Sequence, residues 1–321
     1  MKSIFSMLML ALLAAAGNSA AQQAYPSKPI RMISPYPPGG SVTAMARLVS
    51  QKLTDSWGQQ VIVDNRPGGN TVIGAEALVR SAPDGYTLMT IAADHVIVAN
   101  LVKTPFDAIK DFAPVATIAS SEYVLVVHPS VPAGSLQELI ALAKARPGQL
   151  NYATSGNGTG IHMAAELLKM LAGFDMQQIS YKGSGPALTD LMGGQVQVMF
   201  SSPVNVIQHI RNGRLKAIAY AGDTRSPVLP QLPTFAESGL SGFEMQTWFG
   251  VLAPAATPND IISKLSTEIT RLMGTADARE QLTKQGLAPF TSTPDQFAAL
   301  MRSEMTKFSR IIKTAGIKLD N

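Results

Sequence analysis

The segment Pro35-Tyr36-Pro37-Pro38-Gly39-Gly40-Ser41 stands between an apolar run, residues 30–34, and a helix-like run, residues 42–54. Such a loop can present bare backbone N–H groups at a helix N-terminus, where a carboxylate or phosphate is held without any basic side chain. The plainer reading is a rigid turn, because Pro and Gly serve turns more often than ligands. Two later loops have a similar make-up. Ser155-Gly156-Asn157-Gly158-Thr159-Gly160 follows the apolar run 150–154 and enters a helix carrying His162, and Lys182-Gly183-Ser184-Gly185-Pro186 starts another helix after residues 179–181. If the first loop belongs to one domain and the other two to a second, they face one another across a cleft as a two-jawed anion site.

The side chains that could do other chemistry are sparse. Gly156-Asn157-Gly158-Thr159-Gly160 fails the dinucleotide spacing because Ile161 takes the position of the last glycine, and no phosphate-loop, serine-elbow or zinc-helix motif occurs. His95, His128, His162 and His209 are isolated and the chain has no cysteine, so neither a metal nor a cofactor is expected. His162 can either meet an anion or tie its loop together. Asp94 and His95 follow the apolar run 87–91, where a cleft loop is expected. Arg66 can fork onto a carboxylate or anchor a turn, and Trp248 can floor a pocket or fill a core.

Strand-like runs at residues 30–34, 61–63, 87–91, 124–128, 150–154, 178–181, 196–200 and 215–220 alternate with helical periodicity. That alternation predicts α/β domains with largely parallel sheets, which bind ligands at the carboxyl ends of their strands. From Pro258 the pattern becomes almost wholly helical: Ile261, Ile262, Leu265, Ile269 and Leu272, then Phe297, Met301, Met305, Phe308 and Ile312. At the other end Lys2, the apolar residues 4–16 and the small residues Ser19-Ala20-Ala21 read as a secretory leader, residues 1–21. Its apolar stretch is shorter than the about 20 residues of a membrane span. Export without cysteine points to the periplasm of a Gram-negative bacterium. About 300 mature residues suggest two domains. A formal net charge of +4, with no basic cluster interleaved with aromatics, argues against nucleic acid as a partner.

Taken together, several ordered pieces resemble the Bug-type periplasmic receptors of tripartite tricarboxylate transporters. They are Tyr25-Pro26-Ser27-Lys28-Pro29-Ile30-Arg31, the first glycine loop, Asp64-Asn65-Arg66-Pro67-Gly68-Gly69, Ala82-Pro83-Asp84-Gly85-Tyr86-Thr87-Leu88, Lys110-Asp111-Phe112-Ala113-Pro114-Val115, Leu191-Met192-Gly193-Gly194-Gln195-Val196, Leu232-Pro233-Thr234-Phe235 and Trp248-Phe249-Gly250. The resemblance implies a two-domain α/β periplasmic binding protein of type II-like architecture with a hinged cleft. Residues 22–123 form the first part of domain 1, 124–247 form domain 2, and 248–321 return to domain 1 with the helical C-terminus packed on it. Crossings are expected near residues 122–128 and 246–252. The implied ligand is a small organic carboxylate, held by the two glycine loops of a monomer and passed to membrane permease subunits.

The combined reading places ligand contacts at Tyr36, Gly39, Gly40, Ser41, Thr43, Asp94, His95, Ser155, Gly156, Asn157, Thr159, His162, Ser201 and Asn205. Relatives in the family commonly carry Asp where this chain has Thr43, and often Asp after the run 196–200, where Ser201-Ser202 stands. Loss of two carboxylates at a cleft lip removes repulsion for a second anionic group and a partner for an ammonium. The expectation is a dicarboxylate without an amine, aliphatic or aromatic such as terephthalate. The rivals are a periplasmic sensor that loads a signalling partner and a hydrolase, the latter lacking a nucleophile–base pair.

Overall fold

In the computed structural model, residues 25–243, 245–315 and 317 are described; the expected leader, residues 1–21, lies outside them. The first apolar run becomes β1 (Ile30–Ser34), and the Pro/Gly loop delivers it into α1 (Ser41–Trp57), whose Val42, Met45, Ala46, Val49 and Leu53 are buried at helical spacing. The helix stops at Gly58, which takes a left-handed φ of 67° and donates its N–H to Thr54 O. The chain continues through β2 (Val61–Asn65), α2 (Val72–Val79), β3 (Thr87–Ala92), α3 (Asp94–Val98) and β4 (Phe112–Glu122). After Tyr123 alone, β5 (Val124–Val127) begins a second series: α4 (Leu136–Ala145), β6 (Asn151–Thr154), α5 (Gly160–Ala172), β7 (Gln177–Ser180), α6 (Ser184–Met192), β8 (Val198–Ser201), α7 (Pro203–Arg211) and β9 (Lys216–Tyr220). Then come β10 (Gln246–Pro254), α8 (Asn259–Met273), α9 (Ala276–Lys284), β11 (Ala288–Pro289) and α10 (Pro294–Ala315).

Two sheets result, in the orders β11-β4-β10-β3-β1-β2 and β7-β6-β8-β5-β9. They are mixed, not largely parallel. The βα units supply parallel pairs, β1 with β2 and β3, and β6 with β7 and β8. The strands next to the two crossings run the other way: β10 is antiparallel to β3 and β4, and β5 to β8 and β9. A chain that leaves one sheet and later returns enters each sheet from the opposite side, which accounts for the reversal. Residues 112–122 and 246–254 were not among the strand-like runs. In β4, Pro114 and the small residues Ala113, Ala116 and Ala119 blur the alternation, and the β10–β4 register shifts twice.

The C-terminal helix does more than cover the first lobe. α10 touches β4 and α3 there and also reaches α5 of the second lobe. Its Phe297, Met301, Phe308 and Ile312 join one buried cluster with Val124, Leu125, Tyr152 and Phe200. No described helix is long and apolar enough to cross a membrane.

Candidate functional site

Four helices end on one space between the lobes. The cavity is lined from the first lobe by Tyr36, Gly40, Ser41, Val42, Ala92 and Asp94, and from the second by Ser155, Ile161, Ser184, Ser202 and Asn205. Tyr123, Thr247 and Phe249, at the crossings, complete it. These residues bring to it the N-terminal ends of α1, α5, α6 and α7, each arriving from the carboxyl end of a strand. None of the four helices carries an acid in its first turn. Of the other described helices, α3, α4, α8, α9 and α10 place Asp94, Glu138, Asp260, Asp277 and Asp295 there, and α2 has no acid in its first turn. An acidic side chain in the first turn neutralises the positive end of the helix dipole, so these four helices keep that end open, whereas α3, which also starts at the cavity wall, has Asp94 on it.

Among the described residues no Lys, Arg or His lines this cavity, and Asp94 is its one acid. Asp94 Oδ2 accepts from Tyr36 OH at 2.6 Å, while Oδ1 accepts from the Gly160 N–H of the second lobe at 2.7 Å. Burial pushes the Asp94 carboxyl up, against the pull of those two donors, and pushes the Tyr36 phenol well above its usual range. The enclosed space is about 30 Å³, room for about two waters. A six-carbon dicarboxylate is larger than this space. Outside it a groove of about 780 Å³ runs between Pro67–Ile73 of one lobe and Ser180–Pro186 of the other, with Tyr36 and Ser155 on both walls and Lys182 as its one lining cation among the described residues.

Six of the fourteen expected residues, Tyr36, Gly40, Ser41, Asp94, Ser155 and Asn205, line the cavity. The others hold the frame. The Thr43 hydroxyl is turned behind the first loop, 2.8 Å from Ser34 Oγ and 3.3 Å from Pro37 O, and accepts from Asn65 Nδ2 at 3.1 Å. Ser201 is fully buried and accepts from Asn205 Nδ2 at 3.3 Å, and it is Ser202 that reaches the cavity. His95 corrects the reading of its loop: its Nε2 lies 2.9 Å from Ala108 O between Phe106 and Phe112, and burial lowers its pKa to about 4. His162 Nδ1 accepts the Gly158 N–H at 3.0 Å, so it ties its own loop; burial lowers its pKa to about 4 and keeps it neutral. Thr159 caps α5, Asn157 accepts from Gln178 Nε2 at 2.9 Å, and Gly156 is packed on Asn70. Gly39, with φ at 95°, backs onto Gly185 of the facing lobe. Trp248 packs edge-on to Phe297 in the core, and Arg66 pairs with Asp64 at 2.9 Å.

Sequence reasoning missed Tyr123, Thr247, Ser184, Ser202 and the support given by Asn65. Ser184 sits in the third glycine loop and Ser202 beside Ser201, so both were within reach. Tyr123 and Thr247 border the site because the crossings bring them there. Asn65 Nδ2 donates to Tyr36 O at 2.7 Å as well as to Thr43. Asn65→Ala is expected to destabilise the protein by about 1–2 kcal/mol, read by urea denaturation, because two bonds that hold the first loop disappear.

Two α/β lobes joined by two crossings, with helix N-termini meeting in the cleft, define the class of two-domain periplasmic binding proteins. Within that class the chain belongs to a family: the model described as "Tripartite tricarboxylate transporter family receptor" matches residues 45–317. Protein BugT of Bordetella pertussis is 38% identical over 298 residues, 92% of this chain and 91% of that protein. The R. palustris protein Rpa4515, solved with adipate, is 31% identical with a TM-score of 0.89, over 92% of this chain and 99% of that one. MatC from Rhodopseudomonas palustris, solved with bound malate, is 30% identical with a TM-score of 0.85, over 90% of this chain and 100% of that one.

Proposed function

We propose that this protein, exported to the periplasm of a Gram-negative bacterium with loss of residues 1–21, captures a small dicarboxylate between its lobes. It delivers that ligand, as a monomer, to the membrane subunits of a tripartite tricarboxylate-type transporter. The observation that carries the reading is the convergence of four acid-free helix N-termini on one cavity without a cationic side chain. Solved relatives that hold adipate and malate support the ligand class. Residues 22–123 with 248–321 act as one jaw and 124–247 as the other, hinged at Tyr123 and at the start of β10.

Thr43 and Ser201 do not line the cavity, so the missing carboxylates at these positions do not select the ligand. The arrangement itself replaces it. One carboxylate takes the backbone donors of both jaws, and in a longer ligand the second is directed into the outer groove towards Lys182. Closure is favoured because only the closed form offers donors from both lobes to one anion.

Titration calorimetry of the mature protein with adipate, malate, terephthalate and aspartate tests this. A dicarboxylate is expected to bind at least about tenfold, or about 1.4 kcal/mol, more tightly than the zwitterionic amino acid. Tighter binding of aspartate than of every amine-free dicarboxylate would overturn the ligand class.

A further inference from the structure

We propose that a dicarboxylate binds this protein together with one proton, and that Asp94 is where the proton is held. The inference rests on the carboxylate-binding reading above. Asp94 is not at the lip of the cleft but in the wall of the cavity, and its two oxygens are held by one donor from each lobe, Tyr36 OH and the Gly160 N–H. Neither donor is a cation. A ligand carboxylate drawn to the same helix ends stands within a few ångströms of this buried acid.

The groups around Asp94 leave it to absorb the change alone. Tyr36 and Tyr123 are buried and their phenols are pushed upward, so they stay neutral. On α3, His95 is turned to Ala108 O, and on α5, His162 takes the Gly158 N–H; both are neutral at pH 7. Glu166 of α5 is paired with Lys169 at 2.9 Å, and Glu304 of α10 lies 3.6 Å from Lys307. Among the described residues no cation lines the cavity to offset two negative charges side by side there. Two carboxylates so placed cannot both remain ionised, as in any buried carboxylate pair. The plainer role for Asp94 is a fixed ionised tie between the lobes, in which case ligand binding moves no proton. An amino acid would also bind without one, its ammonium serving as the donor to Asp94.

The sign follows from linkage. Where the free protein holds Asp94 ionised and the complex holds it protonated, affinity falls as pH rises, by up to about tenfold per unit for one proton. Calorimetry with adipate in HEPES and in Tris, from about pH 7 to about pH 8, reads the proton directly from the dependence of the heat on buffer. The expected result is uptake approaching one proton per adipate in the parent. Asp94→Asn keeps an acceptor oxygen for Gly160 and should bind adipate with no uptake and nearly constant affinity across the range. Tyr36→Phe removes a donor that favours the ionised acid and should move the loss of affinity to higher pH, which tests the idea should Asp94→Asn not fold. Adipate bound without any buffer dependence in the parent overturns the proposal while leaving the functional reading intact. Uptake that persists unchanged in a folded Asp94→Asn also overturns it, because the proton is then on the ligand. Failure to bind adipate, malate or any other carboxylate at any pH overturns the functional reading itself.

Discussion

Gly185→Val is expected to weaken dicarboxylate binding about 100-fold, equivalent to about 2.7 kcal/mol, while leaving the melting temperature close to that of the parent. Gly185 lies in the first turn of α6, and a Cβ built on it comes 3.0 Å from Pro38 O and 3.6 Å from Gly39 Cα of the opposite lobe. Both neighbours are backbone, so no side chain can swing away. The methyl groups of valine would deepen the conflict, but only when the jaws are closed. With the jaws apart the added side chain clears the opposite lobe, and only the local cost of a β-branched residue before Pro186 in the first helical turn remains. The substitution therefore acts on closure, and apparent affinity drops in proportion to the lost population of the binding-competent form. Calorimetry and a thermal melt on the same preparation separate the two effects. Parental affinity in Gly185→Val would mean that the closed arrangement of Pro38–Gly39 against Gly185 is not the one that holds ligand.

Gly250→Val should do the reverse, damaging the fold. The residue is in β10 opposite Thr117, and an added Cβ falls 2.3 Å from Phe297 Cζ, 2.6 Å from Cε1 and 3.1 Å from Ala116 O. Strand propensity favours valine, so packing alone sets the sign. Phe297 is fully buried and its ring meets Trp248 edge-on at 5.3 Å, which leaves it no room to yield. The expected loss is about 3 kcal/mol, measured by urea denaturation. Adding Phe297→Leu to Gly250→Val should recover part of that loss, a coupling that independent sites would not show. Since α10 touches α3 and α5 as well as β4, the same substitution should also loosen the seat of Asp94.

How much of this could be read in the chain depended on whether the cause was local. β1 coincides with its apolar run, and α5 starts at the last glycine of its loop because Thr159 caps it from within. The three glycine loops were legible for the same reason: a strand ends, glycines follow, and a helix begins. β4 and β10 were obscured by proline, small residues and bulges, and their antiparallel setting follows from crossings between lobes. Side-chain direction was harder still. Thr43, His95 and His162 stand beside the right loops but face inward, whereas Tyr123 and Thr247 are distant in sequence and meet the cavity only after both crossings are made.

The four acid-free helix ends carry a further consequence. A grip made of peptide N–H groups is encoded by the path of the backbone and is inherited with it, whatever the surrounding side chains become. Exchange of wall residues such as Val42, Ala92, Ile161 or Phe249 alters the width and polarity of the chamber without touching the donors that hold the anion. Descendants of one ancestral receptor can thus trade one organic acid for another by single substitutions, each step passing through a protein that still binds carboxylates.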